Sequence, residues 1–120
     1  MTAAGPAAKP AAQRRPTTDH RNEVNVTGRL SMAATERVLP SGDEIVSWRL
    51  VVDRSQAGPR PGIEVIDCSA FPARIRRAAL RWQPGDIIAV EGSLRRRFWR
   101  SGTGTASRYE VEVTRAVRVG

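Results

Sequence analysis

Cysteine, lysine and histidine are almost missing from this 120-residue chain: Cys68, Lys9 and His20 each stand alone. One thiol allows neither a disulfide within the chain nor a thiol metal site, and a reducing, intracellular setting is the natural default. His20 lies in an Ala/Pro-rich stretch with no second histidine and no thiol near it, which argues against a metal role. With no histidine in the segments expected to fold, Cys/His catalysis is excluded. No run of about 18 apolar residues is present, so nothing is expected to span a membrane. The N-terminus lacks the apolar centre of a secretory signal. Prolines 6, 10 and 16 break the amphipathic helix that a transit peptide needs.

Positive charge is what the chain has in excess. Twenty cationic residues against 12 acidic ones give a formal charge of +8. A balance of this size favours a polyanionic partner, nucleic acid ahead of an anionic membrane. Arginine suits bidentate phosphate contacts and stacking. The abundance of alanine points equally to GC-rich coding, so the Arg/Lys ratio decides little.

Residues 1–21 are Ala/Pro-rich with scattered cations and almost no large apolar side chain. Such a segment cannot offset its own ordering entropy, and a disordered basic arm is expected. From Glu23 the pattern changes. Val24, Val26, Gly28 and Leu30 alternate with polar residues as a half-buried strand, continuing less regularly to Val38. Pro40-Ser41-Gly42-Asp43 is a turn. Val46, Trp48, Leu50 and Val52 then share one face of a second strand, which makes Trp48 a core residue, while Arg49 falls on the other face. Residues 54–62, RSQAGPRPG, read as a loop. Ile63 to Phe71 forms a third strand, with Ile66, Cys68 and Ala70 inward and Val65, Asp67, Ser69 and Phe71 outward. Cys68 is then a small buried hydrophobe. Pro72 opens a short helix whose Ile75, Ala78, Ala79 and Trp82 make one buried stripe, leaving Arg74, Arg76, Arg77 and Arg81 to solvent. The last strand alternates Tyr109, Val111, Val113, Arg115, Val117 and Val119 on one face.

The stretch Gly85–Trp99, GDIIAVEGSLRRRFW, carries the most chemistry. As a strand it sets Ile88, Val90, Gly92 and Leu94 on one side. Arg95, Arg97 and Trp99 fall on the other, and guanidiniums beside an indole suit phosphates and stacked bases. Gly102-x-Gly104 opens no helix, so it lacks the context of a phosphate loop. Paired carboxylates, a metal cluster and a nucleophile with a base are all missing, which makes an enzyme the least favoured class.

The element order β-β-β-α-β-β is that of an OB-fold, a five-stranded all-β barrel with a short helix between its third and fourth strands. The expected domains are the arm at 1–21 and the barrel at 22–120. The sequence from about 22 to 119 resembles the bacterial single-stranded DNA-binding proteins. Carrying the resemblance are Asn25-Val26-Thr27-Gly28-Arg29-Leu30, the Arg37-Val38-Leu39-Pro40-Ser41-Gly42 turn, Phe71 closing the third strand, and Glu91-Gly92-Ser93-Leu94 followed by Arg95-Arg96-Arg97-Phe98-Trp99. It implies sequence-tolerant binding and protection of single-stranded DNA in replication, recombination or repair, with neither catalysis nor cofactor. The expected contacts are Arg29, Arg49, Arg95 and Arg97 to phosphates, with Phe71 and Trp99 stacking bases. It also implies a homotetramer whose subunits pair through their first strands, and a cytoplasmic, nucleoid-associated setting.

Some positions depart from the family's pattern. Val65 stands where an aromatic is usual, Asp67 where a cation is usual, and the loop after the second strand lacks an aromatic. An acidic tail ending in Pro-Phe is not found after Val119-Gly120, which puts recruitment of repair enzymes in doubt and suggests a divergent or accessory member. Two other readings stay open at this point: an RNA-binding OB protein, and a non-catalytic structural subunit that uses the same face for protein contact.

Overall fold

Apolar alternation becomes strand wherever one face can be buried, and the pairing of those strands closes a ring. The computed structural model describes residues 19–54 and 62–120. The expected arm up to residue 18 and the expected loop between 55 and 61 lie outside the described residues. Seven elements follow in order: β1 (Val24–Leu30), β2 (Thr35–Val38), β3 (Glu44–Asp53), β4 (Ile63–Ala70), α1 (Ala73–Ala79), β5 (Ile87–Ser101) and β6 (Gly104–Arg118). Neighbours run β1-β5-β6-β4-β3-β2, and an added β1–β3 pairing closes the barrel. All pairs are antiparallel except β4 with β6, which is parallel through Cys68↔Val111 and Ser69↔Glu112. The irregular first strand expected from the sequence divides at Ser31–Ala34 into β1 and β2. Both pieces pair with β3, so together they act as one bent strand of a five-stranded OB barrel. The β2–β3 turn closes as expected, with Gly42 at φ 93° and its N–H on the Leu39 carbonyl at 2.8 Å.

The inward residues form one cluster: Leu30, Val46, Trp48, Leu50, Cys68, Ala70, Ile88, Val90, Val111 and Val113 from the strands, Ile75 and Ala79 from α1, and Trp82 just beyond it. Each large member contributes about 1.5–3 kcal/mol by leaving water. Trp48 and Trp82 meet edge to face, with centroids 5.1 Å apart and planes at 88°. Burial pushes the Cys68 thiol up to about 12, and the carboxylates of Asp67 and Glu110 add to the shift. That is an inert thiol at neutral pH.

Three expectations change. Arg76 does not simply face solvent: it lies half-buried, its guanidinium donating to the Phe71 carbonyl oxygen and to Glu44 Oε1 at 2.9 Å. It ties α1 to the ends of β3 and β4. The last strand does not keep one face. Glu91 pairs with Arg115 but Gly92 pairs with Val113, so Thr114 is an extra residue, a β-bulge that reverses the alternation. Val111, Val113 and Ala116 therefore pack inward, while Val117 is 54% exposed on the outer side. Gly92 is required there, because a Cβ would come within 2.1 Å of the Glu112 carbonyl oxygen. Finally, Leu94 is 44% exposed although it shares a side with Ile88 and Val90. β5 and β6 each run for 15 residues, and beyond Leu94 and Val111, where β6 stops pairing with β4, the two strands run on as a hairpin. Asn22 fastens its base, accepting from the Leu94 N–H and donating to the Leu94 carbonyl, both at 2.8 Å.

Candidate nucleic-acid interface

Past the barrel, the hairpin has no core beneath it, and its side chains must be satisfied by one another. From Leu94 to Tyr109 it holds Arg95, Arg96, Arg97, Arg100 and Arg108 and not one acidic residue. On one face alternation places Arg95, Arg97 and Trp99 together, as expected from the sequence, opposite Glu110, Arg108 and Ala106 of β6. Trp99 is 43% exposed, and the Arg108 guanidinium lies 5.8 Å from its ring centre. That contact is a cation–π pairing with indole area still open to solvent.

Arg97 is differently placed from its two neighbours. Its Nε donates to Glu110 Oε2 at 2.7 Å and its Nη2 to Glu112 Oε1 at 3.0 Å. Glu110 is 6% exposed and also accepts from Ser69 Oγ at 2.5 Å. A guanidinium fork held by two carboxylates in a half-buried setting is a structural clamp. Its guanidinium carbon lies 5.5 Å from the Phe71 ring centre, so it also props the aromatic that follows β4. Arg95 reaches Glu112 at 3.3 Å but keeps a side chain 51% exposed. Arg49 donates to Asp67 Oδ1 at 2.8 Å across β3 and β4 and is 57% exposed. Each of these exposed pairs is worth at most about 1 kcal/mol, so an incoming phosphate can compete for the arginine.

These residues form one continuous surface. A shallow groove runs from the Ser31–Ala33 bend past Ser47, Arg49 and Asp67 to Arg108 and Glu110, where it meets the hairpin. Arg29 is not brought to it. Its strand partners are Val51 and Ile87, and Ile87 lies at the opposite end of β5 from Trp99, up to roughly 40 Å away along the strand. Arg29 instead borders a second concavity with Val51, Ile63 and Ile87. Among the described residues, no three His, Cys, Asp or Glu side chains gather as a metal ion would require, and no helix is long and apolar enough to cross a membrane.

Sequence reasoning passed over five residues of the hairpin, among them Arg96 and Arg108, which lie against its aromatic rings. Arg100 is exposed near the tip, and Phe98 and Tyr109 are 64% and 57% exposed on the face opposite Trp99. The signal was present in the run Arg95–Arg100. A strand with cations and aromatics on both alternation classes has no buried side.

The sequence profile described as "Single-strand binding protein family" matches residues 21–119. In three dimensions the chain is similar to the Plasmodium falciparum SSB in its complex with ssDNA. The TM-score is 0.71 at 16% identity, covering 84% of this chain and 96% of that one. A search of curated proteins found no match.

Proposed function

We propose that this chain, which belongs to the single-strand binding protein family, holds single-stranded DNA along the groove and the Trp99 face of the hairpin. One observation carries the reading: Arg108 both lines the groove that crosses β3 and β4 and lies against the open indole of Trp99, on a hairpin whose charges are all arginine. A single strand offers both things such a surface takes, phosphates for guanidinium and unpaired bases for stacking. Arg95, Arg49 and Arg108 contact phosphates. Trp99 and Phe71 stack bases, and Arg97 acts chiefly by holding Phe71 and the hairpin base in place. Arg29 serves the far side of the barrel. The work is binding and protection during replication, recombination or repair, without catalysis, on nucleoid DNA in the cytoplasm. Ile87 and Ala89 of β5 lie beside Val117 of β6 and Val119 just past it, on the strand that also pairs with β1. They fit a homotetramer that pairs through the first strands, and the arm at 1–21 adds positive charge.

The test is a titration with oligo-dT, oligo-U and duplex DNA at several salt concentrations. Log affinity for oligo-dT falls linearly with log salt, by about 0.7 for each phosphate neutralised, and duplex of equal length binds far more weakly because its bases are already stacked. Equal affinity for duplex would leave only a generic polyanion binder. Weak binding that ignores salt would point to a structural subunit, and preference for oligo-U to an RNA protein.

A further inference from the structure

The face of the hairpin opposite Trp99 is built from the same materials and has no role in the groove just described. Phe98 follows Arg97 and precedes Trp99, so its ring leaves the ribbon on the other side. There Arg96 stands directly across from Tyr109. Its guanidinium lies 5.1 Å from the Phe98 ring centre and 5.4 Å from that of Tyr109. Ser107 Oγ accepts from Arg96 Nε at 3.1 Å and Nη2 at 3.0 Å. The arginine is therefore pinned along the ribbon between two rings. It is ordered in advance, and Phe98 and Tyr109 are 64% and 57% exposed.

We infer that Arg96, Phe98 and Tyr109 form a second base-stacking site, so that the hairpin engages single-stranded nucleic acid on both of its faces. The inference rests on the single-strand reading above and extends it to residues outside the Trp99 face. Charge and shape select the occupant. Five arginines and no carboxylate between residues 94 and 109 mean that a second copy docking face to face would bring like charges together. An apolar protein patch would strand the pinned Arg96 without an anion. A nucleotide satisfies both parts, its base lying flat on Phe98, Tyr109 or the guanidinium plane and its phosphate near Arg96 or Arg100.

The experiment titrates the full chain and the Phe98→Leu/Tyr109→Leu variant with oligo-dT of increasing length, and follows both by light scattering and thermal melting. Leucine keeps the surface apolar but removes the π faces. Unchanged melting is expected, with affinity for long oligo-dT at least roughly tenfold lower (from the usual worth of a base–aromatic stack) and fewer nucleotides covered per chain. Binding of the shortest strand that saturates Trp99 quenching should stay the same. Equal affinity at every length, with wild type binding normally, overturns the second site and leaves the first intact; failure of wild type to bind oligo-dT strikes the single-strand reading itself. A change of oligomeric state in Phe98→Ser/Tyr109→Ser, with DNA affinity kept, would make this face a protein contact and also overturn the inference. Photocross-linking wild type to 5-iodouracil oligonucleotides needs no variant: adducts on Phe98 or Tyr109 support the site, and adducts confined to Trp99 and Phe71 overturn it.

Discussion

The barrel and the hairpin are made from the same two strands and obey different rules. Up to Gly92, β5 has a core on one side, and Ile88 and Val90 are buried to 0% and 2% exposure. Two residues further, Leu94 holds the same alternation class and stands in water. Nothing local distinguishes them; only the presence of a neighbouring layer does. Stability in the barrel comes from apolar area removed from water. In the hairpin it comes from cross-strand guanidinium–ring and guanidinium–carboxylate pairs, each worth a fraction of a kcal/mol to about 1 kcal/mol. A surface held by weak, exposed contacts can exchange them for a ligand, which a packed core cannot do.

Substitutions in each region should break that contrast if it is mistaken. The largest effect belongs to the barrel. Trp48→Ala opens a cavity against Trp82 and costs about 3–5 kcal/mol of stability in a denaturant titration, with DNA affinity retained by whatever fraction stays folded. Arg97→Ala comes next, at the seam between the two regions. It leaves the Glu110 carboxylate buried beside Ser69 without its cation and costs about 1–3 kcal/mol of stability, measurable as a lower melting temperature without any DNA. A stability-neutral Arg97→Ala would mean that this arginine is a free phosphate contact after all. The smallest effect is expected at the tip. The Arg100 guanidinium has no hydrogen bond or ion pair to another described residue, so Arg100→Ala leaves melting untouched and reduces the salt slope of oligo-dT binding by about 0.7.

How much of this was legible in the sequence follows the same boundary. Strands backed by a core, the turn at Gly42 and the helix stripe ending at Trp82 follow from period and turn chemistry, because burial writes itself into alternation. The bulge at Thr114 does not. It depends on how two strands register, and only Gly92, which has no room for a Cβ, hints at it. The expected site residues split in a similar way. Arg95, Arg97 and Trp99 do share a face, but the pairing of Arg97 with Glu110 joins residues 13 apart through a strand register that no local pattern reveals. Phe98 and Tyr109 were overlooked because alternation assigns one side of every strand to a core, and this ribbon has none.

The most direct test of the hairpin as the binding element is Trp99→Ala, titrated with oligo-dT by a method that does not rely on tryptophan emission and melted in parallel. Trp99 is 43% exposed and is not a member of the barrel's core cluster. Affinity should fall by about 1–3 kcal/mol, the usual worth of one base–aromatic stack, while the melting temperature stays at the wild-type value. A variant that melts early yet binds oligo-dT as tightly as wild type would contradict the account, placing Trp99 in the fold and the strand elsewhere.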